Sequence, residues 1–210
     1  MEQKIHHLES VAEYNAMLGV ETLHPLVSVV DLSEAHPMRH FRQTYGFYAV
    51  FLKEIKCGDM IYGRHYYDYQ EGTLVCLAPG QVIGFEDDGR EFQPKGWALV
   101  FHPDLIRGTS LGRNMKEYGF FSYEVNEALH LSERERGMVV DCFGKIRHEL
   151  EHAIDRHRRR LIAINIEMLL DYCLRFYERQ FITRSNVNRD VLTRFEELLD
   201  GYFSDGRARR

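Results

Sequence analysis

The sequence predicts an α+β fold in which a small antiparallel β-barrel or sandwich is followed by helices. Two observations support this prediction. Between Gly72 and Asp104, short apolar runs of β type alternate with Pro-Gly, Asp-Gly and Pro-Lys-Gly turn signals. After Pro103 the apolar residues change from a period of two to the helical period of about 3.6. The β-part therefore comes first and the helical part second.

Composition describes an ordinary globular chain. Of 210 residues, 44% are hydrophobic and 28% charged, and the net charge is −5, which does not favour binding to nucleic acid or to an anionic membrane. The most basic stretch, RHRRR at 156–160, follows acidic residues and predicts a solvated, charge-paired face. Four isolated cysteines within apolar runs predict buried thiols in a reducing compartment. With no long apolar stretch or leader, we expect a cytoplasmic protein without a membrane partner.

The N-terminal elements follow from caps and apolar runs. Ser10 and Glu13 form a capping box that predicts a short helix ending at Gly19. Strands are predicted over 24–32, 46–56 and 60–69, before the strand pair of the Gly72 to Asp104 stretch. The run 46–56 is almost continuously apolar, so we expect both of its faces to be covered.

The C-terminal elements are helical. Ser132 and Glu135 form a second capping box, which opens an amphipathic helix. A longer helix over 155–181 is apolar on nearly every side, which predicts one face packed on its own subunit and another on a second chain. Residues 183–188 form a polar break predicted to be a linker, and Asn188 is expected to cap one more helix. The candidate dimer-interface residues are Leu161, Ile164, Met168, Tyr172 and Arg175.

Four stretches carry a resemblance to a known family: GTLVCLAPGQ, GWALVFHPDLIRGTSLG, FFSYEVNEALHLSERE and LDYCLRFYERQFITR. Together they resemble the N-terminal half of AraC/XylS-type transcriptional regulators, over Met1 to Thr183. The resemblance implies a cupin-like, jelly-roll-like barrel that binds a small-molecule effector at 1–125 and a helical homodimerisation segment at 126–183. Residues 184–210 would be a linker and the first helix of a C-terminal DNA-binding domain. The sequence ends before a helix-turn-helix is complete, so we expect DNA contact only through the missing part.

The candidate ligand-binding residues are aromatic or can form hydrogen bonds. Alternation in the tyrosine-rich run 60–69 places His65, Tyr67 and Tyr69 on one face. Tyr48 and Trp97, from neighbouring strands, complete the set. Such side chains suit a pocket for a sugar or an aromatic or apolar metabolite. The alternative is that they are ordinary core residues, and alternation alone leaves open which face of each strand is internal.

The sequence predicts no metal, no cofactor and no enzymatic activity. The resemblance implies that a cupin enzyme would use two close histidines, a glutamate and a third histidine. Here His65 is followed by Tyr66, Gln81 follows the Pro-Gly turn, and the next histidine is His102. A single histidine falls short of the three or four ligands that a metal site needs. The alternatives are a stand-alone metal-dependent cupin isomerase or dioxygenase, and a tightly packed chain that only dimerises.

Overall fold

The computed structural model describes residues 5–39, 42–54, 60–62, 65–67, 72–85, 91–121, 128–152 and 155–204. In chain order, its strands are β1 Ile5–Leu8, β2 Val27–Asp31, β3 Met38–Arg39, β4 Arg42–Tyr45, β5 Tyr48–Lys53, β6 Met60–Tyr62, β7 His65–Tyr67, β8 Thr73–Leu77, β9 Val82–Phe85, β10 Glu91–Phe92, β11 Gly96–Phe101 and β12 Leu129–His130. The helices are α1 Val11–Leu18, α2 Pro103–Ile106, α3 Ser110–Asn114, α4 Glu133–His152 and α5 Arg158–Ser204. The α+β prediction is confirmed.

The strands form two five-stranded sheets and a short ribbon. Sheet I has the order β12-β8-β5-β11-β2 and is antiparallel throughout. Sheet II has the order β1-β4-β9-β6-β7, in which only β1 and β4 pair in parallel. Strands β3 and β10 form the ribbon. In the described part of the chain, the sheets do not close into a barrel.

Strand predictions are confirmed most clearly for 46–56. Strand β5 is the middle strand of sheet I, and each of its residues is buried or half-buried, as expected for a strand covered on both faces. The prediction of one strand over 60–69 is wrong. Strands β6 and β7 instead pair with each other, with Tyr62 opposite His65. Since both halves of that run have β-type composition, the apolar pattern alone does not show the reversal.

Both capping boxes are confirmed. The backbone N–H of Glu13 donates to Ser10 Oγ at 3.2 Å, and α1 ends at Gly19, whose φ is +72°. At the start of α4, the backbone N–H of Ser132 donates to Glu135 Oε2 at 2.8 Å. These local hydrogen bonds satisfy N–H groups that a helix start leaves free, which explains why both helices begin where the sequence indicates.

The break in the helix predicted at 183–188 is wrong, because α5 continues through these residues to Ser204. The segment TRSNVN contains no glycine or proline, so its moderate helix propensities allow the helix to continue.

The charge-paired face predicted for 156–160 is also wrong in part. Arg159 donates to the backbone carbonyls of Asp104, Leu105 and Arg107 at 2.8–3.1 Å, at the end of α2.

Two hydrophobic cores lie on opposite faces of sheet I. Leu99 and Phe101 join the core that contains the inner faces of α4 and α5. Ala98 and Val100 join the second core, with residues of α1 and sheet II. Because side chains alternate along a strand, the two faces of β11 belong to different cores. The Ala98 face points toward sheet II and the Leu99 face toward the helices.

Candidate ligand-binding cavity

A cavity of about 90 Å³ lies in the second core, at the ends of β4, β5 and β9. Tyr14, Met17 and Leu18 of α1 line it, and residues of β3 and β10 contribute further apolar walls. The cavity is therefore bounded by both sheets and by the first helix of the chain. A small apolar space with a few polar groups is the usual form of a small-molecule site.

Aromatic rings form one wall of the cavity. Tyr14 contacts Tyr45 edge-on, with ring centroids 6.0 Å apart, and Tyr45 lies 6.1 Å from Phe51. Tyr14 and Tyr45 also pack on Phe47 beneath this wall. Burial raises the pKa of Tyr14 far above its usual range, so its hydroxyl remains neutral and protonated. The wall thus offers ring faces to a ligand and phenolic hydroxyls at their edges.

Three polar side chains interrupt the apolar lining. Lys53 is only 5% exposed, because the alternation of β5 places it on the same face as Ala49 and Phe51. Gln43 is 9% exposed, and its Nε2 donates to the hydroxyl of Tyr45. Among the described residues, Gln43 Oε1 has no hydrogen-bond partner. A buried acceptor without a partner is costly, so this atom is a candidate contact for a ligand or a bound water.

Two lysines lie on the cavity wall. Lys53 and Lys95 both line it, and none of the described lining residues is acidic. Lys53 is buried whereas Lys95 is exposed at the edge. The arrangement can hold a hydrogen-bonding group beside Gln43 and an apolar body against the aromatic wall.

Two predicted ligand residues lie elsewhere. Tyr48 stacks on Phe101 with centroids 5.1 Å apart, in the core beneath the helices. Trp97 stacks on Phe143 of α4 at 6.2 Å, and the Arg147 guanidinium lies 5.9 Å from the Trp97 ring. Both occupy the helix-facing side of sheet I, opposite the cavity. In the structure both residues are half-buried and pack against the helix-facing core.

The other three ligand candidates belong to the run 60–69. In β7, at the edge of sheet II, His65 pairs with Tyr62 and Tyr67 pairs with Met60. Tyr69 lies outside the described residues. In the part of the chain that the structure describes, no group of three or more His, Cys, Asp or Glu residues is placed to hold a metal ion.

The predicted dimer residues occupy the outer side of α5. Leu161, Ile164 and Arg175 are exposed. Met168 and Tyr172 are half-buried against the helix-facing core. The spacing of all five follows a three-four repeat, which places them along one stripe of the helix. The opposite face of α5, with Ile162, Ile166, Leu169, Leu170 and Cys173, is fully buried.

No protein-family model and no curated protein matches the chain. Within the described residues, none of the helices, including the long α5, combines the length and apolar character needed to cross a membrane.

The sequence analysis missed Gln43 and Lys53, although β5 carried a signal for one of them. A lysine on the same alternating face as Ala49 and Phe51, in a strand predicted to be covered on both sides, implies a buried ammonium group. Gln43 had no comparable signal, because β4 was not predicted as a strand. Its position depends on the pairing of β4 with β9 and β1.

Proposed function

We propose that this chain is the effector-binding and dimerisation part of an AraC-type transcription regulator with a cupin-like β-domain. A small molecule occupies the cavity between the sheets, and a C-terminal helix-turn-helix domain outside this sequence binds DNA. The observation that carries this proposal is the cavity itself, with its aromatic wall and its buried Gln43 and Lys53. The resemblance of the four sequence stretches to such regulators supports it independently.

The wall formed by α1 supports a sensing role. Tyr14, Met17 and Leu18 face the cavity from the N-terminal helix, so an occupant contacts both α1 and the sheets. A ligand shifts a conformational equilibrium only by its difference in affinity for the two states. If α1 is held less firmly without ligand, occupancy favours the docked arrangement of the N-terminal segment. That change is the signal passed to the DNA-binding domains.

The outer side of α5 supports dimerisation. Leu161 and Ile164 are exposed on a helix whose opposite face is already buried, and Ile182, further along the same side, is exposed as well. Large apolar side chains that recur at helical spacing are typical of a helix-helix interface. Pairing of two α5 helices would cover this surface and set the separation of two DNA-binding domains.

The test is a thermal-unfolding screen with sugars, small acids and aromatic compounds, run once with a chelator and once with added divalent metal ions. A compound that binds only the folded state raises the melting temperature, and the stabilisation grows with the logarithm of its free concentration once that concentration exceeds Kd. We expect at least one stabilising compound, and loss of its effect in Met17→Trp, which narrows the cavity from the half-buried side of α1. Stabilisation that requires an added metal ion would instead favour the cupin enzyme.

A further inference from the structure

We propose that His148 and His152 of α4 form a binding site for one divalent transition-metal ion, such as zinc or nickel. This inference goes beyond the proposed function and does not depend on it, because α4 belongs to the helix-facing core, on the side of sheet I opposite the cavity. Three observations carry it: the sequence pattern of the helix, the arrangement of the two rings, and a hydrogen bond that fixes the tautomer of one ring.

The end of α4 carries the pattern H-E-x-x-H, as HELEH at 148–152. Histidines four residues apart lie on one face of a helix, and a helix with this pattern supplies two ligands to zinc in many metal sites. Imidazole nitrogen suits zinc, nickel and copper ions, whereas magnesium and calcium prefer oxygen ligands. Short patterns also arise by chance, so the geometry of the two rings decides whether they form a pair.

The two rings lie next to each other on the helix surface. Their centroids are 4.5 Å apart, and their planes are inclined by 25°. Both side chains are exposed, so an ion reaches them without a change in the fold. Two nitrogens that each lie about 2.0–2.1 Å from one tetrahedral zinc ion are about 3.3 Å apart. Rings at the observed separation can present two nitrogens at that spacing.

A hydrogen bond within α4 makes one nitrogen of His152 available to a metal ion. Nδ1 of His152 donates to the backbone carbonyl oxygen of His148 at 3.2 Å. Because a carbonyl oxygen only accepts hydrogen bonds, Nδ1 carries the proton, and Nε2 of the neutral ring keeps its lone pair. Metal-binding histidines commonly donate their other ring N–H to a backbone carbonyl, which orients the ring and raises its basicity. His152 thus has the support that a metal ligand needs.

The protein supplies two ligands, and we assign the remaining coordination positions to water. Among the residues that the structure describes, no third His, Cys, Asp or Glu joins the pair. The nearby Glu151 accepts a hydrogen bond from Nε of Arg147 at 2.7 Å, and its other carboxylate oxygen lies 4.0 Å from Nδ1 of His152. A site with two protein ligands holds its ion less tightly than a four-ligand structural site. Its occupancy would therefore follow the surrounding metal concentration.

A bound ion would act at the junction of α4 and α5. Arg158, at the start of α5, donates to the backbone carbonyls of Glu149 and Leu150 at 3.2 and 2.6 Å. His148 and Glu149 line a groove between the two helices, together with Asn165 of α5. An ion that binds the folded state and not the unfolded chain stabilises the folded state by mass action. The ion would thus stabilise the end of α4 where it meets the helix that carries the proposed dimer face.

Calorimetric titration of the full chain without an affinity tag tests the proposal, after a chelator has removed bound metal and has itself been removed by dialysis. The probes are Zn²⁺ and Ni²⁺, with Mg²⁺ as the ion that imidazole does not favour. We expect one Zn²⁺ ion per chain and much weaker binding of Mg²⁺. His148→Gln and His152→Gln should each weaken Zn²⁺ binding at least about tenfold, since loss of even a supporting group at a metal site costs about 10–100-fold.

The double variant His6→Gln/His7→Gln is the matched control. These two histidines are also exposed and close in sequence, but adjacent side chains in β1 point to opposite sides of the strand. The control should therefore bind Zn²⁺ as tightly as the wild type. Nuclear magnetic resonance of the imidazole nitrogens in the wild type gives a second readout that needs no variant. Zn²⁺ should shift the signals of His148 and His152 at lower metal concentration than those of the other histidines.

Two results would overturn the inference. If Zn²⁺ binds no more tightly than Mg²⁺, the two histidines do not form a transition-metal site. If tight Zn²⁺ binding persists in either His148→Gln or His152→Gln, the ion is held elsewhere. Both results leave the effector proposal intact, because effectors are detected in the part of the thermal screen that contains a chelator. A compound that needs a metal ion even in His148→Gln would still favour the cupin enzyme.

Discussion

Substitution of Gly96 by alanine tests the pairing that positions Lys53. Gly96 begins β11 with φ +120°, and in the β5–β11 ladder it lies opposite Lys53. A Cβ atom at this position would lie 2.1 Å from the carbonyl oxygen of Leu52, a distance that real Cβ contacts essentially never show. The oxygen belongs to the backbone of the middle strand of sheet I, so it cannot move aside alone.

The expected loss of stability has two parts. An alanine held at this φ is strained by about 1–3 kcal/mol. Relief of the contact requires β11 to move from β5, which breaks one or two ladder hydrogen bonds at about 0.5–1.5 kcal/mol each. Gly96→Ala should therefore lower the free energy of unfolding by about 1.5–6 kcal/mol, a large part of the roughly 5–15 kcal/mol usual for a protein.

Urea denaturation followed by circular dichroism measures this loss. With a slope of about 1–3 kcal/mol per molar urea, the midpoint should fall by roughly 1 M or more. Gly137→Ala is the control, because Gly137 lies in α4 with open space around its Cβ position. That change should raise stability by about 0.5–1 kcal/mol through helix propensity. A Gly96→Ala protein within about 0.5 kcal/mol of wild type would refute the β5–β11 geometry.

Two further predictions concern α5 and the loop before β2. Ile164→Asp should convert a dimer to a monomer in light scattering. Leu23, like Ile164, is 44% exposed but lies outside α5, so Leu23→Asp should leave the mass unchanged. A wild-type monomer at high concentration would contradict the dimer. Burial first, and then Arg158 and Arg159, lower the pKa of His24 below 6.5. Stability present above pH 6.5 is therefore lost as pH falls through the folded-state pKa of His24. The free energy of unfolding, measured by urea denaturation between about pH 7.5 and 5.5, should depend less steeply on pH in His24→Gln. An equal slope in the variant would assign the loss to other groups.

The elements that the sequence predicted well depend on local interactions. A capping box acts within four residues, so Ser10 and Ser132 mark helix starts without knowledge of the rest of the fold. Long-range pairing was harder to predict. Strands β6 and β7 share one composition, and Gly63 between them is the signal that could have separated them. The continuation of α5 beyond Thr183 also shows that a polar segment without glycine or proline is a weak helix stop.

The candidate site was harder to predict than the fold. Tyr48 and Trp97 were chosen as ligand residues because they are large and aromatic. Both pack on the helix-facing side of sheet I, away from the cavity. Which face becomes the cavity depends on where α4 and α5 dock, and strand alternation alone carries no such information. The informative residue was Lys53, a charge on an otherwise apolar alternating face. Gln43 reaches the cavity only through the pairing of β4 with its neighbours.

Amide hydrogen exchange with and without bound ligand is the most direct test of the central claim, that an effector in the cavity acts through α1. The measurement uses the compound of the screen that stabilises the chain most. We predict that this ligand slows exchange in α1 and at the cavity end of β5, while α4, which faces the other core, changes little. Unchanged exchange in α1, or protection confined to α4, would contradict the account.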